Sequence, residues 1–222
     1  MPKASVPKKD NKDRKQDLID AGIALFGEYG LDGTTTRMIS KYSGANSASI
    51  QYYFDSKDGL YLAVMNYIVD AVLEMTKGFL EDVEDRIDNG MSKQEALADY
   101  QNIMKGYCSI FVGNENIEGW AKVVMREHMQ LTEAFDIFYK RYYKRSQKIM
   151  CRLVGVLLDK PADNQEVLIQ VHSFFGQVLG FLIAREPLLR GMKAKRISAS
   201  HKEAIQVIIS NNINSVLKEA SS

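Results

Sequence analysis

Apolar residues recur along this chain at spacings of three, four and seven, the period of a helix. The fold class that follows is all-α. Lys12 to Tyr29 reads as a first long helix with Leu18, Leu25, Phe26 and Tyr29 on its inner stripe, and Gly30 as its left-handed cap. Gly22 sits on the same stripe and offers room for close packing under the helix that carries Ile50 and Phe54. Thr36 is placed to cap a short helix, Arg37 to Tyr42, in which Ile39 and Tyr42 face inward. Ser43-Gly44 breaks it. Asn46 or Ser47 caps the next, with Ile50 and Phe54 inward. Ser56 caps a long helix, Leu60 to about Val83, whose stripe is Leu60, Val64, Ile68, Val72, Met75 and Phe79.

Beyond the acidic stretch 81–88, Ser92-x-x-Glu95 spells a capping box for a helix that runs through Met104 and Tyr107 to Gly113. Trp120 to Met129 and a long helix from Thr132 follow. The latter carries a basic stripe, Arg141, Arg145, Lys148 and Arg152, read as a solvated face, with attraction of an anionic effector or DNA as the sharper alternative. After Pro161, Asn164 to Arg185 holds too much apolar surface for one face and predicts burial on two sides. Pro187 to Ser200 reads as a basic loop, and a last helix opens at Ser200 or His201.

The pattern over 34–57 is that of two short helices joined by a glycine turn, a helix-turn-helix. With Ile50 and Phe54 inward, the outer side of the second helix carries Ser47, Ala48, Ser49, Gln51 and Tyr52. Small and polar groups there suit a helix lying in a major groove, where bulk would hold the backbone away from base edges.

Charge refines this picture. The whole chain has a net charge of +1, yet residues 1–15 carry +4 and residues 16–57 carry −2. The positive end is an arm, residues 1–11, suited to phosphates or a minor groove. Cys108 and Cys151 form no paired motif, which fits a reducing cytoplasm. No uninterrupted apolar run reaches the ~20 residues of a membrane span, so no membrane partner is expected. No cofactor or metal is expected: there is no phosphate-binding glycine loop and no nucleophile elbow, and His128, His172 and His201 match no metal-ligand spacing. Glu127-His128 is the nearest thing to an acid–base pair, but neighbours on a helix point apart. An enzyme is therefore not expected. The other rival is a helical protein-binding adaptor that uses the motif as packing.

The stretch from Leu25-Phe26 through Gly30-Leu31, Thr34-Thr35, Ile39, Gly44 and Ile50-x-Tyr52-Tyr53-Phe54 to Ser56-Lys57 resembles the DNA-binding domain of TetR-type repressors. Departures are mild: Ala45 for valine, Asn46 for serine, Tyr53 for histidine. Arg126-Glu127-His128, the start at Thr132, Ala134 and Phe135, and Gly176-Gln177, Phe181 and Ala184-Arg185-Glu186 resemble the C-terminal domain of CerR-type TetR regulators, with Leu131 where proline is usual. The resemblance implies a three-helix DNA-binding domain, residues 12–58, and a C-terminal effector-binding and dimerisation domain, residues 59–222. It implies a homodimeric repressor that leaves its double-stranded operator when a small-molecule effector binds. Gln51 and Tyr52 would read bases beside Ser47, Ala48 and Ser49, while Thr36, Arg37, Tyr53 and Lys57 would hold phosphates.

Methionines and aromatic residues cluster around 104–142, a composition suited to an adaptable apolar pocket. The expected walls are Met104, Tyr107, Trp120, Met125, His128, Met129, Phe135, Phe138, Tyr142, Phe174 and Gln177. The helix from Leu60 to Val83 is the expected transmitter. The dimer interface is expected from Phe175, Gly176, Leu179, Gly180 and Ile183 with Ile205, Ile209 and Ile213, the two glycines forming a notch.

Overall fold

The computed structural model describes residues 11–219, so all but the last residue of the basic arm lies outside the described residues. The described residues form helices and no strand: α1 (Asn11–Gly33), α2 (Thr36–Ser43), α3 (Ser47–Phe54), α4 (Lys57–Asp88), α5 (Lys93–Phe111), α6 (Glu115–Met129), α7 (Glu133–Phe138), a π-helical turn (Tyr139–Tyr143), α8 (Lys144–Leu158), α9 (Gln165–Ile183), α10 (Arg185–Gly191) and α11 (Ala199–Glu219). They gather into two compact units that do not follow chain order. The first takes the described residues up to Val69 together with Gly119–Phe138; the second takes Asp70–Glu118 and Tyr139 onward. Helix α4 runs through both.

In the first unit, Leu18, Phe26, Ile39, Leu60 and Val64 are fully buried and form the core with Ile50 and Phe54. Gly22 does make room, but for α4 and not for α3: a Cβ there would lie 2.7 Å from Val64 Cγ2. Gly30 breaks α1 with φ 75° and ψ 177°, and a further turn follows before the chain leaves the helix. Such backbone is open to glycine and costly for other residues. The buried Thr34 hydroxyl lies 2.7 Å from the Gly30 carbonyl and 3.1 Å from that of Leu25, holding the break in place. Two expected core residues are outside. Tyr42 is 63% exposed. Three residues turn a helix by 300°, so Tyr42 sits 60° away from Ile39, and a two-turn helix buries a narrower face. Tyr29, 53% exposed, is the last residue before the break and projects past the core.

The buried line of α4 continues from Val72 through Thr76, Leu80 and Val83, not through the expected Met75 and Phe79. The Thr76 hydroxyl is satisfied by the Val72 carbonyl at 2.8 Å, so a polar residue can hold a core position at little cost. The second unit packs α5, α8, α9 and α11 around Tyr100, Met104, Tyr107, Leu153, Phe174 and Ile213. The capping box at Ser92 forms with both reciprocal bonds. Arg86 forks onto the nearly buried Asp99, with bonds of 3.0 and 2.6 Å, and ties the end of α4 to α5.

The acidic stretch 81–88 belongs to α4 and meets the basic stripe. Arg141 pairs with Asp70, Arg145 with Glu84 and Arg152 with Asp88, at 2.6, 2.9 and 2.5 Å. The stripe is a largely solvated face whose arginines pair with acids of α4, with Lys148 exposed among them. Two other boundaries differ from expectation: α6 begins at Glu115, ahead of Trp120, and the expected basic loop holds the short helix α10. By length and average composition α4 and α9 are also apolar enough to cross a membrane, although neither contains an uninterrupted apolar run of that length. Only 22% of the apolar window of α9 is buried within the protomer.

Candidate functional site

The turn between α2 and α3 is set by side chains that end on backbone atoms. Thr35, not Thr36, caps α2, accepting from the Met38 amide at 3.2 Å. Gly44 closes that helix with φ 71°. Asn46 caps α3, accepting from the Ser49 amide at 2.9 Å and from its hydroxyl at 2.8 Å. Ser40 and Ser47 meet across the turn, Oγ to Oγ, at 3.2 Å. At the other end Asp55 takes the left-handed conformation, φ 62°, and the chain reverses so sharply that a Cβ at Gly59 would overlap the Phe54 carbonyl oxygen. Nothing in the local pattern marked Gly59, because the atom it avoids belongs to the preceding helix.

With Ile50 and Phe54 buried, α3 turns Ser47, Ala48, Gln51 and Tyr52 to the outside, Tyr52 being 75% exposed. Thr36 and Arg37, at the start of α2, are exposed as well. Three of the candidate contacts are partly enclosed. Ser49 is half-buried and its hydroxyl is engaged by Asn46. Tyr53 is half-buried with its ring edge-on to Tyr52, centroids 4.8 Å apart. Lys57 is half-buried and donates to the carbonyls of Leu31 and Thr34 at 2.7 and 3.0 Å. A lysine opposes the dipole at the head of α4. The structure accounts for it through these two carbonyls, one in the last turn of α1 and one in the link to α2, which take two of the ammonium's three donors. The start of α1 lies at the far end of α3, with Lys15 Nζ 5.8 Å from the centre of the Phe54 ring.

The side chains expected to wall an effector pocket are divided between the units. Trp120, Met125, His128, Met129, Phe135 and Phe138 belong to the first; Met104, Tyr107, Tyr142, Phe174 and Gln177 belong to the second. Met104, Tyr107 and Phe174 are at most 1% exposed and fill the core of the second unit, while Met129 is 83% exposed. His128 is exposed, its Nδ1 2.9 Å from the Val124 carbonyl, and its neighbour Glu127 is buried, so the two do point apart. Within the second unit a cavity of about 330 Å³ lies between α4 and the π turn. Thr76, Tyr142 and Ser146 supply hydroxyl groups to it; Asp70, Glu74 and Glu81 supply carboxylates. Tyr107 and Ser146 share a short hydrogen bond beside it. Burial pushes the Tyr142 and Tyr107 phenols above their ordinary range, so both remain neutral. A π turn is rare in a helix and frequent where a helix carries function.

The α9 face is open. A Cβ at Gly176 or Gly180 would meet nothing within 4 Å, and Ile183 is 57% exposed. Leu179 is half-buried, and the ring of Phe175 packs inward on Tyr107 at 5.3 Å. Ile205, Ile209 and Ile213 are at most 5% exposed. Their four-residue spacing turns them toward α5 and α9, so they belong to the core of this protomer and not to an outer face. The exposed apolar residues of α11 are Val207, Ile208 and Val216. Gln177 lies on this same side: with Phe181, Leu188, Ile208 and Asn212 it lines a groove of about 410 Å³, and it accepts from Asn212 at 2.9 Å.

Comparison with known proteins agrees with this arrangement. Residues 18–64 match the family described as bacterial regulatory proteins, tetR family. Residues 96–220, more than half of the chain, match the family described as HTH-type transcriptional dual regulator CecR, C-terminal domain, so the C-terminal type is CecR and not CerR. The HTH-type transcriptional dual regulator CecR of Shigella flexneri is 26% identical over 209 residues, spanning 92% of this chain and 91% of that protein. Among solved structures, Mycobacterium smegmatis AmtR superposes with a TM-score of 0.59 at 16% identity, covering 99% of this chain and 96% of its own. AibR in complex with isovaleryl coenzyme A and operator DNA does so with a TM-score of 0.56 at 19% identity, covering 76% and 85%.

Proposed function

The chain belongs to the TetR family of bacterial regulatory proteins, with a CecR-type C-terminal domain, and is a DNA-binding transcriptional regulator; from that premise we propose that it is a cytoplasmic homodimeric repressor released from its operator by a small molecule. The observation that carries the DNA-reading part is the outer face of α3. Ser47, Ala48, Gln51 and Tyr52 are exposed side by side on a helix held rigidly by caps at both ends. Gln51 offers the bidentate donor and acceptor that recognise adenine in the major groove, and Tyr52 reaches from the same face. Thr36 and Arg37 are free to touch phosphate; Lys57 acts chiefly as a clip and contributes at most its remaining donor.

The division of labour assigns residues 1–11 to an arm and 12–58 to the reader, which the first unit extends with the start of α4 and residues 119–138, and leaves effector and dimer contacts to the second unit. The dimer forms through α9 and the outer side of α11. This places the Gly176/Gly180 notch, Ile183, Ile208 and Val216 against a second copy, and it accounts for an apolar helix left uncovered in the protomer. AibR, of the same fold, was solved in complex with isovaleryl coenzyme A and operator DNA, which supports a small-molecule ligand for this chain.

Selection of bound duplexes from a random pool tests this. The expected product is a near-palindrome whose half-sites are centred about 34 Å apart along one face of the duplex, matching a two-fold dimer. A pool with no enriched sequence would overturn it.

A further inference from the structure

Arg126 and Glu127 are adjacent on α6, and their side chains leave the helix in different directions toward the reader. Arg126 Nε donates to the Gly27 carbonyl at 3.0 Å and its Nη2 to that of Glu28, two carbonyls in the last turn of α1 before the break at Gly30. Cationic donors at a helix C-terminus satisfy carbonyls that the helix leaves without partners. Two glycines bring the helices this close. A Cβ at Gly27 would lie 3.2 Å from the Gly119 carbonyl oxygen, and one at Gly119 would lie 3.0 Å from Ile23 Cγ2. Lys122 and Glu28 add an ion pair across the same crossing, at 3.2 Å.

Glu127 is 2% exposed. One oxygen accepts from the Tyr61 hydroxyl of α4 at 2.6 Å. The other accepts from the Thr132 amide and hydroxyl and from the Phe135 amide, at 3.1, 2.8 and 3.0 Å. Four donors converge on one buried carboxylate, which makes the arrangement intolerant of change: a buried charge is stable only when it is fully hydrogen-bonded. Tyr61 is in turn fixed edge-on against Phe26 of α1, centroids 4.9 Å apart. Helix α6 therefore grips α1 through Arg126 and α4 through Glu127. These are the two helices that bracket α2 and α3 in the chain, and the Lys57 clip joins the α1–α2 link directly to the head of α4.

We propose that Arg126 and Glu127 are positioning residues for DNA binding: together they fix α1 against α4, and so the seat of α3, making residues 119–138 a working part of the reader although they lie far from it in sequence. The proposal rests on the DNA-binding reading. It gives a task to the Arg-Glu pair that a role in ligand contact or catalysis does not explain, because all the bonds just described end on protein groups of the first unit.

The test uses full-length Glu127→Gln, Arg126→Lys and Tyr61→Phe with the operator selected by the wild type. An amide at position 127 places an N–H₂ donor against one set of donors whichever way it is turned, so Glu127→Gln is not conservative here. Each protein is titrated with operator and with a random-sequence duplex across a salt series, and amide exchange of residues 11–69 is followed alongside melting. The expected result for Glu127→Gln and Arg126→Lys is operator binding weaker by roughly five- to 150-fold, the range of a typical coupling between sites. Random-duplex binding and the slope against salt are expected to be unchanged, because no phosphate contact is lost. Exchange is expected to quicken at the end of α1 and the start of α4. If Glu127→Gln does not fold, Tyr61→Phe, which removes one donor and keeps the ring, is expected to show the same pattern more weakly. Operator binding within twofold of wild type in the folded variants, a loss that tracks the unfolded fraction, or a reduced salt slope would each overturn the proposal. A wild type that selects no DNA would bring down the DNA-binding reading itself.

Discussion

The two units use many of their charged groups differently. In the first, three turn inward onto fixed partners: Lys57 on two carbonyls, Arg126 on two more, and Glu127 on two amides and two hydroxyls. In the second, apart from Arg86 on the nearly buried Asp99, the pairs lie near the surface, as Arg141 with Asp70, Arg145 with Glu84 and Arg152 with Asp88. A side chain bonded to a loop carbonyl or a helix-end amide fixes where the backbone goes. An exposed pair between two long side chains is screened by water and salt and constrains little. The unit that must present α3 at a set angle is built by the first method. The unit that offers a cavity and an open apolar face is built by the second, over an apolar core.

Substitutions test this contrast, and the largest effect is expected in the apolar core of the second unit. Ile209→Glu places a carboxylate at a site only 2% exposed and should unfold that unit, with a loss of about 3 kcal/mol or more. Ile208→Glu, one residue earlier and 53% exposed, should leave melting of the protomer nearly unchanged while giving monomers in sedimentation. Equal behaviour of the two would remove the assignment of inner and outer faces on α11.

Alkali separates the units next. Tyr100, Tyr107, Tyr142 and Tyr143 of the second unit have phenols raised by burial, and so has Tyr61 of the first, where Glu127 adds to the effect. A raised phenol favours the neutral folded form, so its contribution is intact below the ordinary tyrosine value of about 10 and declines as pH rises above it. Four such groups against one predict that near-ultraviolet and exchange signals of the second unit fail first in an alkaline titration.

Lys57→Met should cost the reader about 1–2 kcal/mol by releasing two backbone carbonyls, with little change in the dependence of operator binding on salt. Arg37→Ala should do the reverse, leaving stability alone and lowering the salt slope by about one phosphate. The smallest effect belongs to the surface pairs. Arg145→Ala, whose side chain is 50% exposed, should shift stability by less than about 1 kcal/mol, and less still in high salt.

What the sequence made legible were features with a local period. The helix-turn-helix was readable because Asn46, Gly44, Ile50 and Phe54 act within one or two turns of themselves, and the capping box at Ser92 for the same reason. What remained hidden depends on partners distant in sequence. The Lys57 bonds reach back 26 and 23 residues, and the bond from Tyr61 to Glu127 spans 66. No spacing rule marks such pairs, so Lys57 read as a phosphate ligand and residues 119–138 read as part of an effector pocket. The isoleucine stripe of α11 was visible as a stripe, but period alone does not say whether a stripe faces its own protomer or another.

The central claim is that the outer face of α3 reads bases. Repeating the random-pool selection with Gln51→Ala tests it most directly, since Gln51 is exposed and bears none of the caps that shape the turn. The expected result is the wild-type half-site spacing, with preference lost at one position in each half-site and affinity for the original operator reduced by about 1–3 kcal/mol. An unchanged sequence preference at unchanged affinity would contradict the account.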